Sequence, residues 1–326
     1  MRAVMVTEPG GPEVLRVEER PEPTPRPGQV QIRVAATGVN FADIMARRGR
    51  YHGAPSGGKF VPGLDVAGTI TAVGDEVTGL SVGQRVAAFP AGGSYAEVVV
   101  ADPVTVYPLP DTVDFETAAA FPTIGVTAFN LLHTVGRLAE GETVLIHAAA
   151  GGVGTTAVQI AQLLSAGQVF GTVGDDAKAG VVRDLGAAAV INYRREDFAA
   201  RVRELTNDTG ADVILDSVAG PVTAGSLSCL APFGRLLVFG QASGEPGQVA
   251  TSEFYPLNRA VLGYSTGGYR RLRPAGLRPA AEAVLAWLAA GRLRFVIGRR
   301  YPLAEAAEAH RFVESRASTG KVLLLP

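Results

Sequence analysis

The sequence predicts a two-part α/β protein, an antiparallel β-rich unit joined to a doubly wound parallel-sheet domain. Three observations carry that expectation. Short alternating runs broken by Gly and Pro fill the chain to about residue 89. From Asp114 onward, strands alternate with Ala-rich helical stretches. A Gly-rich turn at 149–154 joins an apolar strand to a helix, as the first crossover of a parallel sheet requires.

The elements follow in order. At 29–34 polar and apolar residues alternate with period two, the pattern of a strand with one wet face. Pro25, Pro27 and Gly28 prevent an earlier start. Similar runs at 66–73, 85–89 and 95–100 predict more strands. Asp114 with Glu116 reads as the capped start of a helix. Strands are then expected at 143–148, 168–173, 189–192, 213–216 and 235–239, with helices at 152–165, 177–185, 198–205 and 222–230. The tail predicts helices over 279–290 and 305–314 and strands near Phe295 and at 322–325. It is expected to return to the first domain, giving residues 1–124 with 267–326 as one domain and 125–266 as the other.

Composition bounds the function. In 326 residues, 30 basic side chains face 31 acidic ones, a net charge of -1 that gives no global attraction for nucleic acid or an anionic membrane. A single cysteine, Cys229, closes no intramolecular disulfide and builds no Cys-rich zinc site. No signal-like or spanning run stands out, so a cytoplasmic protein without a membrane role is expected. Lysine occurs only at 59, 178 and 321.

The strongest local signal is the strand at 143–148 running into Ala149-Ala150-Gly151-Gly152-Val153-Gly154 and a helix. Against G-x-G-x-x-G the first glycine is replaced by Ala149. Gly151 lets the backbone approach a pyrophosphate, Gly154 lets helix pack on strand, and the helix N-terminus supplies unpaired N–H groups. A dinucleotide site is therefore expected. Where NAD binders carry an acid at the end of the second strand, this chain has Val173-Gly174, with Asp175 and Asp176 one or two places later. A small residue there leaves room for a 2′-phosphate. Lys178 is placed to neutralise it and Tyr193 to offer a hydroxyl, so NADPH is expected over NADH. Asp175 or Asp176 binding ribose is the alternative. Phe239 and Gly240 are further cofactor candidates.

With these residues in view, the chain resembles the zinc-free quinone oxidoreductase (zeta-crystallin-like) branch of the medium-chain dehydrogenase/reductase superfamily over nearly its whole length. The likeness rests on 141–159, on Gly83-Gln84-Arg85-Val86, and on the tail 314–322. Gly38-Val39-Asn40-Phe41-Ala42-Asp43 stands where zinc-dependent relatives have a Cys ligand. Pro62-Gly63-Leu64-Asp65-Val66-Ala67-Gly68 stands where they have a His-Glu pair. Gln162 departs from the family's usual basic residue or Ser, and Met45 stands where some relatives have Tyr. The resemblance implies a GroES-like catalytic domain built from both chain ends around a Rossmann domain, as a homodimer. It also implies Asn40 near the nicotinamide ribose, Tyr51 facing the acceptor, Thr127 on the nicotinamide side, and Lys178, Tyr193 and Arg316 at the 2′-phosphate. Asp43 is expected to orient its loop.

With one Cys and four scattered His, alcohol oxidation assisted by zinc is disfavoured, and hydride transfer to a quinone or α,β-unsaturated carbonyl is the expected reaction. His147 reads as a core histidine. Three other readings compete. Gly263-Tyr264-Ser265-Thr266-Gly267 matches a nucleophile elbow with His310 downstream, but loop text is expected after Ser265 where a hydrolase needs a helix. The arginines at 270, 271, 273 and 278, and at 292, 294, 299 and 300, read as solvated surface. They also leave open an acyl-CoA ligand for an enoyl-thioester reductase, or a non-catalytic protein that binds NADPH or RNA.

Overall fold

A computed structural model describes residues 1–51 and 59–326. Along the chain the strands are β1 (Arg2–Val6), β2 (Leu15–Glu19), β3 (Val30–Val39), β4 (Asp65–Val73), β5 (Arg85–Ala88), β6 (Val98–Ala101), β7 (Val106–Pro108), β8 (Thr143–Ile146), β9 (Gln168–Val173), β10 (Ala189–Asn192), β11 (Ala211–Asp216), β12 (Leu230–Val238), β13 (Ala260–Gly263), β14 (Ile297–Pro302) and β15 (Lys321–Leu325). The α-helices are α1 (Phe41–Arg47), α2 (Phe115–Phe129), α3 (Gly152–Leu163), α4 (Ala179–Asp184), α5 (Phe198–Leu205), α6 (Pro221–Ser228), α7 (Thr266–Leu272), α8 (Arg278–Ala289) and α9 (Ala306–Glu314). They fold as two units, Met1–Val126 with Thr266–Pro326, and Thr127–Ser265.

In the first unit, alternation at 29–34 opens into the ten-residue β3, the hub of a seven-stranded sheet in the order β14-β15-β3-β4-β5-β7, with β6 also on β3. The face of β3 carrying Val30, Ile32 and Val34 buries against Val66, Ile70, Val86 and Val99, β-branched side chains that suit a pleated surface. Register matters most at its far end. Gly38 pairs with Asp65 of β4, and Val39 with Val322 of β15. The antiparallel ladder therefore sets Asn40 opposite Lys321. Both chain ends build this unit, since β15 and α9 share an apolar core with Val4, Val6 and Tyr95.

In the second unit six parallel strands run β10-β9-β8-β11-β12-β13. Strand order reverses between β8 and β11, and in such sheets ligands bind at the strands' carboxyl ends near that reversal. Leu145, Phe170, Ile191, Ile214 and Leu236 form its core. α2 and the π-helical turn after it, Phe115–Val135, make the one described helix long and apolar enough to cross a membrane. Its most apolar 18-residue stretch is 78% buried within the protein, as in a core helix. Asp114 caps α2 as expected, accepting from the Thr117 N–H at 2.8 Å.

Four local expectations need correction. Residues 177–185 divide into a 3-10 turn, Asp176–Lys178, and the short α4. The run at 95–100 is a strand only from Val98, while Ala96 bridges to Ala3. The strand expected near Phe295 begins at Ile297. α7 starts immediately after Ser265, where Gly267 and Gly268 misleadingly suggested a loop.

Candidate active site and cofactor site

The cofactor candidates of the second unit gather at one sheet edge. β8 ends at Ile146, the chain turns through Ala148 at φ +50° and Ala149 donates to Thr172 O, and α3 starts after Gly151. The N–H groups of Gly152, Val153 and Gly154 open the helix, where the ladder offers no acceptor and an anion is favoured. A Cβ on Gly154 would lie 2.5 Å from Ala148 O and 2.6 Å from Ala149 Cα, so the helix sits on the strand only because residue 154 has no side chain. At Gly151 the nearest atom to such a Cβ is 3.2 Å away, which leaves that glycine's bareness to an approaching ligand. At the end of β9, a side chain on Gly174 would run into the Tyr193 hydroxyl. Asp175 is spent capping the next turn through the Ala177 N–H. Asp176 accepts from Asn192 and pairs with Arg195. Lys178 stands beside these, its pKa lowered chiefly by burial, with Asp175 raising it and Arg194 lowering it. Arg194 was missed by sequence reasoning; it follows Tyr193 directly, and its place after β10 was the available signal. After β12, the Phe239 N–H donates to Asp216 O, and a Cβ on Gly240 would come 2.7 Å from Ser217 O. Thr127 is buried on α2, whereas Arg316 belongs to the other unit, exposed and left-handed at φ +59°. Gln162, the departure from family pattern, holds the Gly186 carbonyl.

In the first unit Asn40 and Asp43 lie in a buried polar cluster. Asn40 precedes α1, and its N–H donates to Asp43 Oδ2 at 2.8 Å while the Asp43 N–H returns to Asn40 O. Asn40 Nδ2 donates to Asp65 Oδ2 at 2.9 Å, and the Lys321 ammonium donates to Asn40 Oδ1 at 2.5 Å and Asp65 Oδ2 at 2.6 Å. Asp65 Oδ1 accepts the N–H and hydroxyl of Thr123. Behind Asp43 the donors run in one direction. Arg47 donates a hydrogen bond to His310 Nδ1, so Nε2 carries the ring hydrogen and donates to Tyr95, whose hydroxyl donates to Asp43 Oδ2. Arg47 also pairs with Glu314 at 2.5 Å. Burial holds the His310 pKa down at about 3 and pushes Asp43 up to about 7, with Asp65 raising and Lys321 lowering the latter. Tyr51 is half-buried with its hydroxyl pKa raised, first by burial; Arg270 and Arg271 lower it and Asp43 raises it. Lys321, Asp65 and Tyr95 were not among the sequence-derived site residues, and His310 entered only as the histidine of the hydrolase reading.

The Asp43 shift makes a prediction. The folded protein holds this proton more tightly than the unfolded chain, so the carboxyl lowers stability progressively as pH rises from about 3.8 to about 7. Asp43→Asn keeps an oxygen for Asn40 and Tyr95 and removes the titration. Urea melts at several pH values are expected to show the variant gaining on the parent across that interval; a constant difference would mean that Asp43 does not titrate there.

Similarity to known proteins agrees with this geometry. Residues 26–111 match the alcohol dehydrogenase GroES-like domain, and residues 185–324 match the zinc-binding dehydrogenase family. The chain is 40% identical to a quinone oxidoreductase of Pseudomonas aeruginosa over 97% of each protein. The chain belongs to the quinone oxidoreductase branch of the medium-chain dehydrogenase/reductase superfamily. It shares that branch's architecture, a GroES-like unit with a Rossmann unit. Among solved structures, Escherichia coli quinone oxidoreductase in complex with NADPH superposes with a TM-score of 0.92 at 34% identity, covering 100% of both chains. A segment of a phenolphthiocerol/phthiocerol polyketide synthase from Mycobacterium tuberculosis is 36% identical over 98% of this chain and makes up 14% of that protein.

Among the described residues no three His, Cys, Asp or Glu side chains are grouped to hold a metal ion; His52 lies outside them. Cys229 is buried, its thiol pushed up to about 12 by burial. The hydrolase reading must be rejected on different grounds from those the sequence offered, because a helix does follow Ser265. His310 is fully buried with both ring nitrogens engaged, by Arg47 and Tyr95, and has none left to activate a serine. His147 is a core histidine bonded to Thr172 and Ser226. Two of the arginines read as solvated are part-buried and structural: Arg270 donates to Pro90 O and stacks 4.6 Å over Phe89, and Arg278 lies over Tyr107, whereas Arg299, over Tyr301 and Phe312, is exposed as expected.

Proposed function

We propose that this reductase transfers hydride from NADPH to a quinone or α,β-unsaturated carbonyl without zinc, as a cytoplasmic homodimer. The observation that carries the reading is the end of β9, where Gly174 lets the Tyr193 hydroxyl come up against the backbone, both nearby acids are engaged elsewhere, and Lys178 and Arg194 supply positive charge. The NADPH complex of the Escherichia coli relative supports it. Zinc independence is supported by the first unit, where Asn40 and Asp65 stand in the segments that carry ligands in zinc-dependent relatives and share the Lys321 ammonium.

NADPH supplies the hydride when bound. The chain's residues hold and orient. The opening N–H groups of α3 take the pyrophosphate, with Gly151 admitting it closely. Lys178, Arg194 and Tyr193 take the 2′-phosphate, Thr127, Phe239 and Gly240 line the cofactor, and Asn40 meets the nicotinamide ribose. Arg316 is a further phosphate contact. Tyr51, its pKa raised, stays protonated at neutral pH and offers its hydroxyl to the acceptor oxygen where negative charge develops. Asp43 fixes the Asn40 backbone.

The test is oxidation of NADPH and NADH by metal-stripped protein against quinones, enals and enoyl thioesters, followed by the absorbance of the reduced nicotinamide. Turnover preferring NADPH is expected; activity restored only by zinc would overturn the reading. The likeness to a polyketide synthase segment favours enoyl thioesters as the second acceptor class. Lys178→Ala is expected to weaken NADPH binding roughly 10-fold, the value of about one charge-assisted hydrogen bond, and to leave NADH unchanged. Equal losses for both cofactors would remove Lys178 from the 2′-phosphate.

A further inference from the structure

The closed ring formed by Lys321, Asp65 and Asn40 does more than fill the interior. Lys321 is 2% exposed and Asp65 0%. The pair arrives from strands far apart in sequence, since Lys321 is 281 residues from Asn40 and 256 from Asp65. A side-chain amide has two orientations of nearly equal shape, and hydrogen bonding decides between them. Here the decision is forced. An ammonium only donates, so the atom of Asn40 facing Lys321 must be oxygen, and a carboxylate only accepts, so the atom facing Asp65 Oδ2 must be nitrogen. The other amide hydrogen points to Gly38 O at 3.4 Å. Asn40 Oδ1 also faces the Asp43 N–H in a capping box, without a full side-chain hydrogen bond because that N–H goes to Asn40 O, so Oδ1 keeps a lone pair for a further donor. Space for the ring is built in as well: a Cβ on Gly38 would lie 2.5 Å from Lys321 Cε and 2.7 Å from Ala119 O.

We infer that Lys321 and Asp65 are positioning residues for hydride transfer, locking the Asn40 amide so that its oxygen accepts from a hydroxyl of the nicotinamide ribose. The inference rests on the reading that Asn40 meets that ribose. With the oxygen held in place, the ribose and the ring attached to it have one preferred rotation, and a small error in hydride geometry is costly. A turned-over amide would present N–H groups instead, so the hydroxyl would have to turn and accept, and the ribose would be held in a different geometry.

Lys321→Met alone leaves Asp65 buried without its cation and is expected to fold poorly. The informative variant pairs it with Asp65→Asn. An asparagine oxygen toward Thr123 places its NH2 toward Asn40, which favours the turned-over amide. This double variant is expected to melt near the parent and to bind 2′,5′-ADP, a probe lacking the nicotinamide end, with unchanged affinity. Its kcat is expected to fall on the order of 100-fold, with a larger isotope effect from 4-deuterated NADPH. Asn40→Ala is expected to lose activity similarly, and adding it to the double variant to cause no further loss. A folded double variant with parental kcat and isotope effect, beside an impaired Asn40→Ala, would overturn the inference and leave the Asn40 reading standing. Losses that multiply would also overturn it, because Lys321 would then act independently of Asn40. Parental kinetics in Asn40→Ala itself would remove the underlying reading.

Discussion

Arg47→Met is expected to destabilise the protein by about 3–5 kcal/mol, the cost of breaking a buried ion pair by removing one partner. Arg47 is 0% exposed and serves four acceptor atoms: Gly10 O, His310 Nδ1 and both oxygens of Glu314. Methionine fills part of the volume and supplies none of the donors, so a carbonyl and an imidazole nitrogen stay buried without partners. Arg48 meets the same carboxylate at 2.6 Å from a half-exposed position, and Arg48→Met is expected to cost under about 1 kcal/mol. Urea unfolding of the two variants decides the matter; equal, small losses would mean that the buried chain from Arg47 to Asp43 adds nothing to stability.

The acid side provides a second readout of the same change. The buried His310, with its pKa held at about 3, resists protonation that the unfolded chain accepts near 6.5, so its contribution is lost as pH falls through that interval. Burial is the main cause and repulsion from Arg47 the second. Removing the guanidinium raises the folded pKa toward the unfolded value, and the variant's own acid-side loss is expected to be shallower.

Gly154→Val is expected to abolish useful cofactor binding. Its Cβ would press on Ala148 O and on the Cα and carbonyl carbon of Ala149, all backbone, at 2.5–2.7 Å, so α3 must lift from β8. Overpacking of this kind costs about 1–3 kcal/mol. The larger effect is on the anion site, because the displaced helix takes its opening N–H groups with it. Losing two charge-assisted hydrogen bonds weakens binding by roughly 100-fold or more. Gly151→Ala separates the two roles. That backbone is extended at φ -78°, and the new methyl meets only Ala148 O, 3.2 Å away. It is expected to leave the melting temperature nearly unchanged while weakening NADPH, measured by fluorescence titration. A stable Gly154→Val protein with normal affinity would show that the turn is merely a connection.

Much of this molecule is written in neighbouring residues. The alternation at 29–34, the Asp114 cap, the Gly-rich turn at 149–154 and the missing acid at Gly174 are local signals, because periodicity, capping and backbone freedom act over a few residues. They determined the two-unit α/β architecture, the branch resemblance and the sheet edge expected to hold a dinucleotide. Local reading failed where glycine has two uses: Gly267 and Gly268 suggested a loop, yet both lie in the first turn of α7. It also treated as surface the arginines at 270 and 278, whose aromatic and carbonyl partners come from more than 170 residues away.

Tertiary structure alone decided the polar interior. Nothing near Lys321 in sequence distinguishes a solvated terminal lysine from a buried ammonium. Only the register of β15 on β3, and of β3 on β4, brings it to Asn40 and Asp65. The same holds for His310, whose tautomer depends on Arg47 donating from 263 residues away. Periodicity reports which face of an element turns inward; which charged groups meet there depends on long-range pairing, and a buried charge persists only where that pairing supplies its partner.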